Sequence, residues 1–333
     1  MRVAIFHGPK NITIEDVPDD PVGPLDVLIE VARCGICGSD VVMTSGSHFD
    51  YAHGRRLGHE SAGTVLEVGR EVTRVRPGDR VAVLPNGYCG ECEQCHAGRP
   101  LFCSNARPLF GGFGERMVIT ENAAFPYPAT VSHAEGALVE PIACGRKALL
   151  GAGMEKGATV LVLGAGSVGL ASIYWARRLG AGRIVVATRT AARHETAMAI
   201  GADEVVLVGG EQGDVLTQLL PHGADIVAEC IGKPGMLQQA VERVRLGGSV
   251  ISMGMCVVND TLLPAFTAFR EATLHFPVGY SPQDFIETIR AFDADRIRPE
   301  LMVSEVMQLD ALPALIEEMR GVHSHQKVQI APN

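Results

Sequence analysis

The stretch TVLVLGAGSVGLASIYWARRLG, residues 159–180, constrains the fold of this chain more than any other. Its apolar run, Val160 to Leu163, has the length of a buried parallel strand and breaks at once into glycines and a helix-length segment. Gly164, Gly166 and Gly169 reproduce the spacing G-x-G-x-x-G. The first glycine permits the tight turn, the second lets a pyrophosphate approach the backbone, and the third lets helix and strand pack closely. Ser167 and Val168 fall at the start of the expected helix, where free N–H groups and the positive dipole end suit an anion.

The segments that follow alternate in the same way. Apolar strands are expected at 183–188, 204–208, 224–230 and 247–254, with helix-length segments between them. That alternation is a doubly wound parallel sheet written in one dimension, an α/β architecture. Residues 1–145 read differently, as many short strands bounded by Gly and Pro, among them VAIF, NITIED, VLIEVAR, SAGTVLEVG and DRVAVLP. A β-rich domain over 1–145 and 279–333, with the dinucleotide-binding domain at 146–278, is the organisation expected. The segment LHFPVGY, 274–280, reads either as lining of the cleft or as buried sheet, and buried sheet is the expectation preferred. A helix near 282–292 and a last strand near 327–330 complete the return.

The length of 333 residues suits two domains. The net charge of −9 argues against a nucleic-acid or anionic-membrane partner. No apolar run has the length of a signal peptide core or a membrane span, so the cytoplasm is expected. Nine cysteines in a reducing compartment point to metal ligands or free thiols rather than disulfides.

Two cysteine clusters carry chemistry. Cys89, Cys92, Cys95 and Cys103 form C-x2-C-x2-C-x7-C in a loop rich in Gly and charged residues. Four thiolates close a tetrahedral shell with no open position, as a structural zinc requires; iron–sulfur clusters take four cysteines at other spacings. The second cluster is CGICGSD, 34–40, followed by Gly58-His59-Glu60. Cys37 and His59 are the thiolate and imidazole that zinc prefers, and Asp40 could accept the other ring N–H of His59. Cys34 and Cys37 also read as a C-x-x-C redox pair, but without the βαβ setting such pairs have.

In this order, CGICGSD, GHE, the four-cysteine loop, a VEP turn at 139–141 and GAGSVG resemble the zinc-dependent alcohol dehydrogenases of the medium-chain dehydrogenase/reductase superfamily. The resemblance runs over essentially the whole chain and is strongest to the polyol, threonine and secondary-alcohol dehydrogenases. It implies a GroES-like catalytic domain beside a Rossmann domain, one catalytic and one structural zinc, and a homodimer or homotetramer acting on a small alcohol or ketone. Cys37 and His59 match ligands of the catalytic zinc, and Glu60 and Glu140 match the two positions from which a carboxylate can complete it. Ser39 matches the hydroxyl that takes the alcohol proton. Cys34, Cys144, Cys230 and Cys256 match no ligand position.

Two departures from the family pattern bear on mechanism. Where many relatives carry a proton-relaying histidine, this chain has Val42, so the proton must leave through water or a group such as His48. The second Rossmann strand ends in Thr188 and Arg189, with Arg193 a turn later, instead of the acid that bonds both ribose hydroxyls in NAD-dependent members. An acid repels a 2′-phosphate, whereas a hydroxyl and two guanidinium groups hold one, so NADP(H) is expected over NAD(H). The rival readings are an NAD-dependent primary-alcohol or formaldehyde-type dehydrogenase, a zinc-free reductase on the same fold, and a non-catalytic protein that binds zinc and NADPH.

Overall fold

Strand Thr159–Leu163 lies at the centre of a parallel sheet whose order, by first residue, is Glu204, Arg183, Thr159, Ala224, Val244, Thr273. The computed structural model describes residues 1–46, 51–209, 215–294, 299–321 and 323–333. They divide into two compact units, Met1–Glu140 with Tyr280–Asn333, and Pro141–Gly279.

In the second unit, strands Arg183–Thr188 and Glu204–Leu207 extend the sheet on one side of Thr159–Leu163. Ala224–Glu229, Val244–Ser252 and Thr273–His275 extend it on the other. The order therefore reverses between Leu163 and Glu229, where a doubly wound sheet opens a crevice at its carboxyl ends. Leu161, Val185, Val227 and Val250 are fully buried in one core cluster, as a sheet covered on both faces demands. One expectation fails here. Only Leu274 and His275 of LHFPVGY are strand, at the end of Thr273–His275, and Phe276 and Val278 are 66% and 53% exposed. This strand is the last of its sheet, so its apolar run ends at an open edge rather than inside a core.

The first unit is built on an antiparallel sheet. Strand Asp26–Gly35 pairs with Glu60–Val68, with Arg116–Thr120 and with the returning strand Lys327–Ala331. The register sets Gly35 opposite both Glu60 and Gln329, so three distant segments meet at one strand end. The short ladder Asn86–Gly87 with Arg107–Pro108 closes the base of the four-cysteine loop. Helix Pro282–Ala294 buries Phe285 against Phe125 and Tyr280, which fixes the place of Tyr280. The VEP segment is not a turn but the opening of helix Val139–Gly151. Pro141 is tolerated there because a first-turn residue has no intrahelical use for an N–H.

Candidate functional site

Cys37 closes the N-terminus of the short helix Gly38–Met43, and its backbone N–H donates to Asp40 Oδ2 at 2.9 Å. The other oxygen of Asp40 lies 3.1 Å from His59 Nδ1, and both side chains are buried. Donation from Nδ1–H to the carboxylate fixes the tautomer and leaves Nε2 as the ligand atom. Burial opposes protonation of His59, yet the Asp40 carboxylate, followed by Cys37, outweighs it and lifts the imidazole pKa well above its ordinary value. The same influence makes the ring a stronger donor to a metal. Ser39 Oγ lies 3.4 Å from Nε2, on the ligand side of the ring, and Phe110 meets the ring edge-on at 6.0 Å.

Glu60 completes the group. Its carboxylate, Cys37 Sγ and a His59 ring nitrogen all lie within 4.8 Å of one another. Gly35 makes this possible, because a Cβ there would stand 2.0 Å from Glu60 Oε2. Lys327, equally buried, donates to both oxygens of Glu60 at 2.6 and 2.8 Å and to Ile36 O at 2.9 Å. Burial disfavours its charge, but Glu60 more than compensates and keeps the ammonium protonated. Glu140 stands outside the convergent group. Its Oε1 accepts the Tyr280 hydroxyl at 2.6 Å, and burial, with Glu60 adding, pushes its carboxyl up to about 7. A thiolate, an imidazole and a carboxylate at this spacing fit a zinc with an open position.

The second cluster fits a closed site. The sulfurs of Cys92 and Cys95, and of Cys103 and Cys89, are 3.5 Å apart, and those of Cys89 and Cys95 are 3.9 Å apart. Zinc–sulfur bonds of about 2.3 Å in a tetrahedron give edges of about 3.8 Å. Backbone N–H groups of Cys95 and Ser104 hold the Cys92 thiol down at about 6, while Cys103 Sγ accepts from the N–H groups of Cys89 and Asn105. Cys34 is a buried thiol whose pKa burial raises, and none of the nine cysteines is in a disulfide.

In the second unit the three glycines do separate work. Gly164 has φ +96, and a Cβ there would stand 2.7 Å from Ile231 Cγ1; a Cβ on Gly169 would stand 2.0 Å from Gly164 O. At Gly166 the nearest atom to such a Cβ is Arg193 Nη1, 3.7 Å away, so the turn is open on that side and already faced by a cation. Ser167 and Val168 begin the helix Ser167–Arg178. Thr188 is buried, and its Oγ1 accepts the Thr190 N–H at 3.2 Å, so its hydroxyl serves the turn. Arg189 is exposed, its stem running over Gly209. Glu229 receives the N–H groups of Ile231 and Gly232 at 2.6 and 2.9 Å and so shapes the loop after the fourth strand in chain order. His48 lies outside the described residues.

Comparison with known proteins agrees with this chemistry. The family model for the alcohol dehydrogenase GroES-like domain matches residues 23–129, and that for zinc-binding dehydrogenases matches residues 167–294. Sorbitol dehydrogenase of Bacillus subtilis (strain 168) is 33% identical over 270 residues, covering 78% of this chain and 76% of its own. The chain belongs to the zinc-dependent alcohol dehydrogenase family. Sorbitol dehydrogenase of Mus musculus is 34% identical over 290 residues, with 81% and 79% covered. A Sinorhizobium meliloti 1021 chain, assigned to the zinc-binding dehydrogenases and crystallised with NADP, superposes with a TM-score of 0.91 at 31% identity over 99% of both chains. The 2R,3R-butanediol dehydrogenase of Bacillus subtilis gives 0.88 at 26% identity over 100% and 99%. This alcohol dehydrogenase thus has polyol dehydrogenases among its relatives. No helix among its described residues is long and apolar enough to cross a membrane.

Lys327 and Tyr280 were not singled out from sequence, and Glu229 only as part of the strand end expected near 230. Lys327 left a signal, a lysine opening the strand KVQIA in which every residue is buried. Tyr280 left none.

Proposed function

We propose that this dehydrogenase transfers a hydride between NADP(H) and a secondary alcohol, a polyol or a sugar-type hydroxyl, or the corresponding ketone. The observation that carries the reaction is the convergence of Cys37, His59 and Glu60 within 4.8 Å, with Asp40 holding the far side of the imidazole. In this reading those three residues hold the catalytic ion and Cys89, Cys92, Cys95 and Cys103 a structural one. A zinc held by the first three would supply a Lewis acid for the negative charge that builds on the substrate oxygen. Ser39 would relay the hydroxyl proton, taking it at Oγ while passing its own to water. Glu140, held by Tyr280 outside this group, is the second carboxylate that the family resemblance offers to the ion. Sorbitol and butanediol, named for the relatives, support a secondary hydroxyl as the substrate group.

The cofactor reading rests on the end of strand Arg183–Thr188, where no acid stands and Arg189 and Arg193 follow. In this reading Arg189 meets the 2′-phosphate, Arg193 serves the phosphates near Gly166, and Thr188 shapes the turn. The NADP bound by the Sinorhizobium meliloti neighbour supports it. The open edge of Thr273–His275, flanked by the exposed Phe269 and Phe276, supports self-association into a homodimer or homotetramer. The compartment in this reading is a reducing one such as the cytoplasm, where thiolates remain available to hold metal.

The test is turnover of a panel of secondary alcohols and polyols with each cofactor. Cys37→Ser should abolish oxidation and leave NADPH binding intact. A kcat/KM higher with NAD than with NADP overturns the cofactor reading.

A further inference from the structure

The helix Gly38–Met43 carries Ser39 and Asp40 but has only six residues, too few to hold its shape alone. Its C-terminal carbonyls have no partners within the helix. Thr44 and Ser45 meet Asp40 O and Val42 O locally, whereas Val41 O and the capping Thr44 O are met by one side chain from the far end of the sequence. The Arg320 guanidinium donates from Nη1 to Val41 O, and from Nη2 to Thr44 O at 3.1 Å and Thr44 Oγ1 at 3.0 Å. Glu317 holds the same guanidinium from behind, Nε to Oε1 at 3.0 Å. A cation at this end of a helix also complements its dipole.

The contact leads inward to the proposed metal ligands. Thr44 is fully buried, and its hydroxyl, while accepting from Arg320, donates to Asp40 O at 2.6 Å. Asp40 is thereby gripped at its backbone, while its carboxylate spans the Cys37 N–H and His59 Nδ1. The planar fork meets Val41 O from one nitrogen, Thr44 O and Oγ1 from a second and Glu317 from a third, a spread of donors that the single nitrogen of an ammonium does not reproduce.

We propose that Arg320 is a positioning residue for the hydride-transfer centre: by clamping the end of helix Gly38–Met43 it sets, through Thr44 and Asp40, the orientation of His59 and the place of the Ser39 hydroxyl. The inference rests on reading Cys37 and His59 as ligands of the catalytic zinc. Releasing the clamp lets the helix shift, and displacements of about 1 Å near a reacting centre cost up to a hundredfold in rate.

The experiment uses the full-length enzyme with cobalt exchanged for zinc. Subtracting the spectrum of Cys37→Ser isolates the cobalt–thiolate bands of the catalytic position. Arg320→Ala is expected to lower kcat by about ten- to a hundredfold with little change in the KM for the dinucleotide, and to shift those bands. Millimolar guanidinium should restore part of the lost kcat where ammonium does not, and Arg320→Lys should behave like alanine. Thr44→Val should reproduce the loss and Thr44→Ser should not, which keeps the test open if Arg320→Ala does not fold. A kcat within about twofold of wild type in Arg320→Ala, or in Thr44→Val where that variant stands in for it, with unshifted bands and only a lower Tm, overturns the proposal. If Cys37→Ser itself retains turnover, the reading of the metal centre is what fails.

Discussion

Lys327 Nζ lies 2.6 Å from Glu60 Oε2, with both side chains shut off from water. Removing one partner of such a pair strands the other charge, which costs about 3–5 kcal/mol, whereas removing both charges together costs far less. Lys327→Met should therefore lose stability on that scale in urea unfolding of the zinc-free protein, and adding Glu60→Gln should recover much of it. A single variant within about 1 kcal/mol of wild type would show that the pair is not what secures this strand end.

Asp40 orients His59 with one carboxylate oxygen and accepts the Cys37 N–H with the other. Outer residues of this kind typically contribute ten- to a hundredfold to metal affinity. Asp40→Ala should weaken zinc at the catalytic position by about that factor, measured by competition with a chromophoric chelator, while the four-cysteine loop keeps its ion. Equal loss at both positions would mean general unfolding instead.

Cofactor choice should turn on the end of strand Arg183–Thr188. Placing an acid there while removing the neighbouring guanidinium substitutes a ribose acceptor for a phosphate donor. Thr188→Asp with Arg189→Ile should lower kcat/KM for NADP by about a hundredfold and raise it for NAD. Because the Thr188 hydroxyl bonds the Thr190 N–H, the new carboxylate can keep that contact. An unchanged ratio of the two specificity constants would place the selecting group elsewhere.

Local pattern made part of this molecule legible from its sequence. The glycine turn and the four-cysteine loop each lie within a few residues, and their spacing maps directly onto a φ of +96 at Gly164 and sulfurs 3.5–3.9 Å apart. Lys327, Tyr280 and Arg320 were hidden for the opposite reason. They reach the site through strand register and helix packing across hundreds of residues, which no spacing encodes; the contact of Arg320 with Thr44 spans 276 positions. LHFPVGY misled because an apolar run looks the same in a buried strand and at an open sheet edge. Glu60 and Glu140, inseparable by sequence, differ in space: one converges with Cys37 and His59, the other bonds Tyr280.

His325 ties two elements of the return segment by charge. Its Nδ1 lies 2.6 Å from Glu305 Oε1 on strand Val303–Gln308, and its Nε2 lies 3.1 Å from Glu318 Oε1 on helix Leu312–Glu318. Both ring nitrogens can donate only when the imidazole is protonated. The Glu305 bond raises the pKa against a burial penalty, and Glu318 adds to it. A pKa raised in the folded state stabilises the fold fully below the unfolded value of about 6.5, and the contribution disappears as pH rises through the folded value. The difference in Tm between wild type and His325→Gln should therefore be largest in mildly acidic buffer and shrink steadily above neutrality. Thermal melts at a series of pH values decide it: a gap that is constant or widens with pH would mean that His325 contributes packing and not charge.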